Sequence, residues 1–478
     1  MGYVFPQVHF ELRLPTETWN GRYFQTGCGG YCGSTPIGNC DDALALGFAV
    51  GANNMGAFSG AEALWGRDNE QLRIDYAHRG PHVNAVAAKA IINAFYGQPA
   101  SYSYFRGCST GGREGLIAAQ RYPQDFDGII AGHPASSSLQ GAVANNWIAQ
   151  VGARADGTGS GRDVIITDPT AEILRDAVMA ACDGVDGLVD GLIDDPRNCD
   201  FDLEAVACSA GAADMSTCLT PEELEAAAKL YDGPRNSQGI RLCPGAVLFG
   251  SERGWAGEPP RSANFANNQL RYLQFRHSPP LTYTYEDFDF DSDFQRLREG
   301  DELYDPFDPD LSAFHARGGK LLLWNGLADV TVSALVSIDY YTEVANRMGG
   351  PAQLHDWFRL FLIPGGFHCL GGAQPARLGV GGPTTVGPEP LLQMVDWVEN
   401  VNPPDQLVVS YLDAGGEVFR TRPVFPYPQV ARYTGSGSID EADNFVAAPP
   451  PVEHDGDVKW MWDPGRGMRD RWPWDPSG

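Results

Sequence analysis

Residues 101–123 read SYSYFRGCSTGGREGLIAAQRYP. The first five, SYSYF, are aromatic and strand-like. REGLIAAQRYP (113–123) spaces Leu116, Ile117 and Ala119 as a helix face does and stops at Pro123. Between them lies GCSTGG (107–112), with G-x-S-x-G at its centre. Gly107 and Gly111 flank the serine, where glycine permits a sharp strand-to-helix turn and close packing of the helix. The pentapeptide alone arises by chance in many chains of this length. Its setting gives it weight: strand, tight turn and helix are the repeating unit of an α/β sheet.

Three more apolar runs read as buried strands: FDGIIAG (126–132), KLLLWNG (320–326) and RLFLIPGG (359–366). Asp329 follows the second and His368 the third. Acyl transfer needs an exposed nucleophile, a base to take its proton and an acid to orient the base. Ser109, Asp329 and His368 fall in the chain order of an α/β-hydrolase core, each just past a strand and so at one sheet edge. Among nine histidines, His368 stands out by its strand and Gly-Gly turn. His355 suits a structural place near a strand start. His133, after FDGIIAG, lies near the same edge, with packing as its simpler role. Cys108 precedes the serine and Cys369 follows the histidine. If Ser109 and His368 meet, these cysteines are close enough to bridge; two buried free thiols are the alternative.

The chain has 478 residues, 43% hydrophobic and 20% charged, enough for two or three compact units. We read residues 1–134 and 306–425 as the two parts of the α/β core and 135–305 as an inserted lid, rich in Asp, Gly, Pro and aromatics. Residues 426–478 read as an irregular tail. Lys and Arg number 34 against 61 Asp and Glu, a net charge of −27. That balance argues against nucleic acid or an anionic membrane as partner. No apolar run reaches the roughly 20 residues of a spanning helix. The opening MGYVFPQVHFELRLP lacks the n- and h-regions of a signal peptide and alternates Val8, Phe10, Leu12 and Leu14 like a strand. Ten scattered cysteines point instead to disulfides and an oxidising compartment. Together they read as a mature or trimmed chain, or one with a mis-set start, secreted or periplasmic. Zinc is weakly indicated, because Cys28/Cys32 has no matched second pair.

These stretches resemble the tannase and feruloyl esterase family, which includes fungal tannases, type B feruloyl esterases and a bacterial mono(2-hydroxyethyl) terephthalate hydrolase. Its members carry a G-C-S-x-G-G elbow bridged to a cysteine beside the catalytic histidine; this chain offers GCSTGG and GGFHC. Also similar are WNGRYFQTGCGG (19–30), DYAHRGPHVNAVAAKAII (75–92), CDGVDGLVDGLIDDPRNC (182–199), FDFDSDF (288–294) and NGLADVTVS (325–333). The resemblance runs from about residue 8 to 400. The N-terminal part is shorter than in many members, and no resemblance is placed for the tail past 426. The resemblance implies a Ser109–His368–Asp329 triad, a Cys108–Cys369 bridge, an α/β-hydrolase core and a large lid. It implies Thr110 N–H as one oxyanion donor and Gly29 or Gly30, from the GCGG turn, as the other.

The 182–199 segment puts Asp183, Asp186 and Asp190 among glycines between two cysteines. Leu188 and Leu192 can add backbone carbonyls, a donor set suited to a hard cation. A solvated acidic turn is the competing reading, and the segment is no EF-hand. The resemblance implies a structural calcium there and a Cys182–Cys199 bridge across it. By adjacency, Cys208 pairs with Cys218 and Cys32 with Cys40, leaving Cys28 and Cys243 unassigned. Family substrates are small-molecule esters of aromatic acids. Trp147, Trp255, Phe265, Tyr272 and Phe275 are candidates to stack on a ring, against a plain lid-core role. Arg271 and Arg276 are candidates to meet a substrate carboxylate, against pairing with nearby acids. The reading is therefore a serine carboxylesterase. A broad carboxylesterase without aromatic preference and a non-catalytic binding protein on the same scaffold are the alternatives. Oligomeric state is not readable.

Overall fold

In the computed structural model, residues 1–454 are described except 212–213, 244–246, 298–299, 301–302, 371–375, 379–387 and 414. The 101–123 unit stands inside an eight-stranded sheet. Its strands are β1 (Gly2–Val4), β2 (Val8–Arg13), β3 (Arg22–Thr26), β4 (Ala49–Asn53), β5 (Tyr102–Cys108), β6 (Gly128–Gly132), β7 (Lys320–Gly326) and β8 (Phe358–Ile363). They lie in the order β1-β2-β4-β3-β5-β6-β7-β8. β1 and β2 run antiparallel; β4-β3-β5-β6-β7-β8 are parallel. The longer helices are α1 (Gly80–Tyr96), α2 (Thr110–Arg121), α3 (Asn145–Gly152), α4 (Asp168–Cys182), α5 (Pro221–Asp232), α6 (Glu258–Asn268), α7 (Ala334–Arg347) and α8 (Pro388–Asn400).

A parallel sheet is covered on both faces, so its strands read as continuous apolar runs. KLLLWNG shows why. Leu321 and Leu323 face one core with Leu116 of α2 and Val344 of α7, whereas Leu322 and Trp324 face the other with Met394 and Trp397 of α8. Tyr104 and Phe105 divide in the same way. Each large side chain so buried contributes about 1.5–3 kcal/mol by leaving water. Glu399 of α8 ties this layer down: it accepts from Arg22 at 2.6 and 2.7 Å and from the Tyr104 hydroxyl at 2.6 Å.

β6 and β7 are neighbours in space, yet residues 133–319 lie between them in sequence. This insertion carries α3–α6 and a core of its own around Ile148, Leu174, Val178, Leu230 and Trp255, which Val330 joins from just past β7. The stretch from 426, expected to be irregular, contains an antiparallel ribbon, Val430–Tyr433 with Phe445–Ala448. Polar turn residues between short alternating runs hid it. The rest of the expected tail, 455–478, lies outside the described residues.

Candidate active site

Ser109 joins β5 to α2 with φ +61° and ψ −120°, a backbone shape that side-chain-bearing residues rarely adopt. Hydrogen bonds on either side hold it there. Its N–H donates to Gly132 O at 3.0 Å, and its carbonyl accepts from Ala135 N–H at 3.1 Å. The approach needs glycine: a Cβ on Gly107 would sit 2.5 Å from the Gly111 backbone, and one on Gly112 would sit 2.1 Å from Gly132 O.

Asp329 and His368 come off the ends of β7 and β8 onto the same edge. Asp329 Oδ1 accepts the N–H groups of Thr331 at 2.7 Å and Val332 at 3.1 Å. Its Oδ2 meets His368 Nδ1 at 2.8 Å. The same oxygen meets His133 Nδ1 at 2.5 Å. Burial works against the charge on Asp329, but the two histidines outweigh it and hold the carboxyl well below the usual carboxylate range. His133 is fully buried, and burial favours its neutral form. His133, Asp329 and His368 lie close enough to form a metal-ligand group, their donor atoms within 4.8 Å. Hydrogen bonding accounts for the cluster, since each Nδ1 already addresses the carboxylate.

The Cys108–Cys369 disulfide forms, with the two Cα atoms 5.9 Å apart, and ties the serine turn to the histidine turn. Cys182–Cys199 and Cys208–Cys218 form as well. The expected Cys32–Cys40 pair does not: Cys32 bonds Cys28. Left-handed backbone at Gly30 and Cys32 (φ +56° and +62°) returns the chain to Cys28 within four residues. Cys40 points into the core beneath β4, where burial pushes its thiol up to about 12. Cys243 is likewise buried and lies outside the four disulfides.

The Cys28–Cys32 ring encloses Gly29 and Gly30. Gly30 O accepts from the Thr110 hydroxyl at 2.7 Å and from the Tyr76 hydroxyl at 3.1 Å. Cys28 N–H donates to Glu114 Oε1 at 3.0 Å. Burial pushes the Glu114 carboxyl up to about 8, so it keeps its proton at neutral pH. Gly30 and Thr110 line a pocket with Ser109; its other walls include Tyr31, Tyr76, Arg261, Phe265 and Thr331.

Of the lid aromatics singled out from sequence, Phe265 reaches this pocket, its ring 5.5 Å from that of Tyr31. Trp147 donates to Lys229 O, Trp255 packs on Tyr231, Tyr272 belongs to a neighbouring apolar cluster, and Phe275 is buried beneath Arg296. Arg271 donates to Tyr283 O, and Arg276 lines a separate cleft with Arg73 and His78. Both are placed elsewhere than at the serine. The arginine that does line the pocket, Arg261, carried no sequence signal beyond lying on a helix of the insertion. It pairs with Glu258 at 2.7 Å, bonds the Thr331 hydroxyl and lies 5.1 Å over Phe265.

In the acidic segment, Asp183 accepts the N–H groups of Asp190 and Gly191, each at 3.0 Å. Asp186 accepts from Leu188 N–H at 2.9 Å and Asp190 from Leu192 N–H at 3.1 Å. Asp190 also meets Arg422 through its carboxylate and Arg420 through its carbonyl, at 2.8 Å for the latter. Burial pushes Asp186, Asp190 and Asp194 above the ordinary range. Neighbouring carboxylates add to this at Asp186 and at Asp194, which reaches about 7, whereas Arg422 opposes it at Asp190.

A family model described as tannase and feruloyl esterase matches residues 3–448. The mono(2-hydroxyethyl) terephthalate hydrolase of Piscinibacter sakaiensis is 33% identical over 94% of this chain and 83% of its own. A probable feruloyl esterase of Arthroderma benhamiae is 34% identical, covering 91% of this chain and 81% of its own. The crystal structure of feruloyl esterase B from Aspergillus oryzae superposes with a TM-score of 0.81 at 29% identity, covering 92% of this chain and 87% of that one.

Proposed function

Since the chain belongs to the tannase and feruloyl esterase family and is an ester hydrolase, we propose that it cleaves esters of aromatic carboxylic acids through a serine-bound acyl intermediate. Ser109 Oγ attacks the ester carbonyl carbon while His368 Nε2 takes the hydroxyl proton. Asp329 holds the ring in the Nδ1–H form and steadies the imidazolium. The carbonyl oxygen, now anionic, rests on the N–H groups of Thr110 and Gly30, in the turn that Cys28–Cys32, Thr110 and Tyr76 hold still. Collapse expels the alcohol, which takes the proton from His368. Water then repeats the attack on the acyl-serine with His368 as base, releasing the acid and restoring Ser109.

One observation carries this reading: the Asp329–His368 pair is joined to the Ser109 turn by the Cys108–Cys369 bond. The aromatic preference rests on Tyr31, Tyr76 and Phe265 in the pocket wall and on the substrates named for the relatives. The test is hydrolysis of methyl ferulate, methyl gallate, mono(2-hydroxyethyl) terephthalate and p-nitrophenyl butyrate by the purified protein. Faster turnover of one or more aromatic-acid esters is expected. Turnover of the butyrate alone makes it a broad carboxylesterase, and inertness on all four sinks the esterase reading of this site.

The 182–199 loop is proposed to hold a structural calcium through Asp183, Asp186 and Asp190 and the carbonyls of Leu188 and Leu192. In support, the donors are hard oxygens, and carboxyls held up by burial and mutual repulsion are relieved by a cation. Left-handed Gly187 and Gly191 (φ +93° and +80°) let the loop turn back on itself. Chelation is expected to lower the melting temperature by several degrees and calcium to restore it, by mass action on the folded state. An unchanged melt overturns the site. Four disulfides support residence in an oxidising compartment outside the cytosol. Among the described residues, no helix is long and apolar enough to cross a membrane.

A further inference from the structure

The serine mechanism asks one histidine of Asp329, and the structure supplies two. His133 directly follows β6 with φ +41° and is completely buried. Its backbone N–H donates to Trp324 O at 2.9 Å, which fixes it between β6 and β7. Its Nε2 accepts from Gly326 N–H at 3.3 Å. An imidazole that accepts at Nε2 carries its proton at Nδ1. That Nδ1–H therefore donates to Asp329 Oδ2, the atom that also takes the Nδ1–H of His368. The two rings stand nearly perpendicular, 5.3 Å apart, and Trp324 packs on the edge of His133 at 4.7 Å.

We propose that His133 is a positioning residue of the esterase, acting on the reaction through Asp329 and never touching substrate. The inference rests on the serine mechanism above. With Thr331 and Val332 on Oδ1 and the two imidazoles on Oδ2, Asp329 accepts four hydrogen bonds, the full capacity of a carboxylate. Rotation about Cβ–Cγ would break all four at once, so the lone pair meant for His368 stays aimed. His133 also takes a share of the negative charge as a neutral donor. Less of that charge bears on the His368 ring, which then returns its proton more readily to the leaving alcohol. Among the described residues, the other charged groups facing this cluster are Glu258 and Arg261 on α6, already paired with each other.

The test compares His133→Asn with His133→Leu. The two side chains have nearly the same shape; asparagine keeps an N–H donor where Nδ1 stood, and leucine keeps none. Asparagine also tolerates left-handed backbone. The leucine variant is expected to lose about 10- to 100-fold in kcat, the worth of a hydrogen bond to a charged group, with KM within about threefold. The acid limb of its kcat/KM profile is expected to move to higher pH, because the Asp329 charge then bears on one imidazole instead of two. The asparagine variant is expected to recover most of kcat and to return the limb to its place. Equal losses in both variants with an unmoved limb reduce His133 to packing and overturn the proposal. If the leucine variant does not fold, His133→Gly, which suits φ +41°, replaces it. Restoration of kcat by added imidazole then supports the proposal, and a folded variant that imidazole does not rescue overturns it. Ser109→Ala is measured alongside. Activity retained there sinks the serine mechanism itself, whereas an inactive Ser109→Ala beside wild-type-like His133 variants sinks this inference alone.

Discussion

Replacing Ser109 by alanine is expected to lower kcat/KM on the preferred ester by about 10³- to 10⁶-fold while leaving the fold intact. The asymmetry follows from where Ser109 makes its bonds. Its hydrogen-bond partners among the described residues, Gly132, Arg113 and Ala135, are all reached through its backbone. Alanine keeps every one of them, so the strained turn survives and the melting temperature should move by no more than a few degrees. What disappears is the atom that forms the acyl bond, and with it the route that splits one difficult hydrolysis into two easier steps. Steady-state kinetics of the two proteins, with intact-mass analysis after a pulse of slow ester, reads both halves of the expectation. The wild type gains the mass of the acyl group and the variant does not. A variant that still turns over moves the nucleophile elsewhere.

Asp329→Asn is expected to cost about 10⁴-fold in kcat, the scale found when a triad aspartate loses its charge. The structure adds a cost to stability. Asp329 is surrounded by donors on every side: two backbone N–H groups at one oxygen and two imidazoles at the other. An asparagine must present its own NH₂ to one of those pairs. Turned toward Thr331 and Val332, it breaks the loop after β7. Turned toward the histidines, it drives His368 into the Nε2–H form, in which the nitrogen facing Ser109 can no longer accept a proton. A buried donor left without an acceptor costs about 1–3 kcal/mol. The variant is therefore expected to melt several degrees below the wild type, whereas Ser109→Ala is not. Thermal melts of the two variants separate an acid that organises its surroundings from one that merely sits beside the base. Equal melting temperatures count against the four-bond account of Asp329.

That Ser109, Asp329 and His368 gather at one place could be read from sequence because each lies just past an apolar run, and a parallel sheet delivers such positions to one edge. What lies beside them on that edge depends on strand order, which periodicity does not encode. His133 illustrates this. FDGIIAG is followed by a histidine as plainly as RLFLIPGG is, but its value comes from β6 lying between β5 and β7, a fact of topology. Arg261 and Phe265 share one face of α6, yet nothing in that helix states which of its residues look toward the serine. The cysteines divide in the same way. Cys108 and Cys369 were marked by the residues they flank, whereas the Cys28–Cys32 ring depends on two left-handed residues whose backbone shape the sequence leaves open.

The bond between Cys108 and Cys369 spans 261 positions of chain, and the whole 133–319 insertion hangs inside that circle. A protease that cuts the insertion once therefore releases no fragment. The two pieces remain covalently joined at the elbow, and the eight-stranded sheet they share has no free half to lose. The same bond that joins the serine turn to the histidine turn thus also makes a nicked insertion survivable.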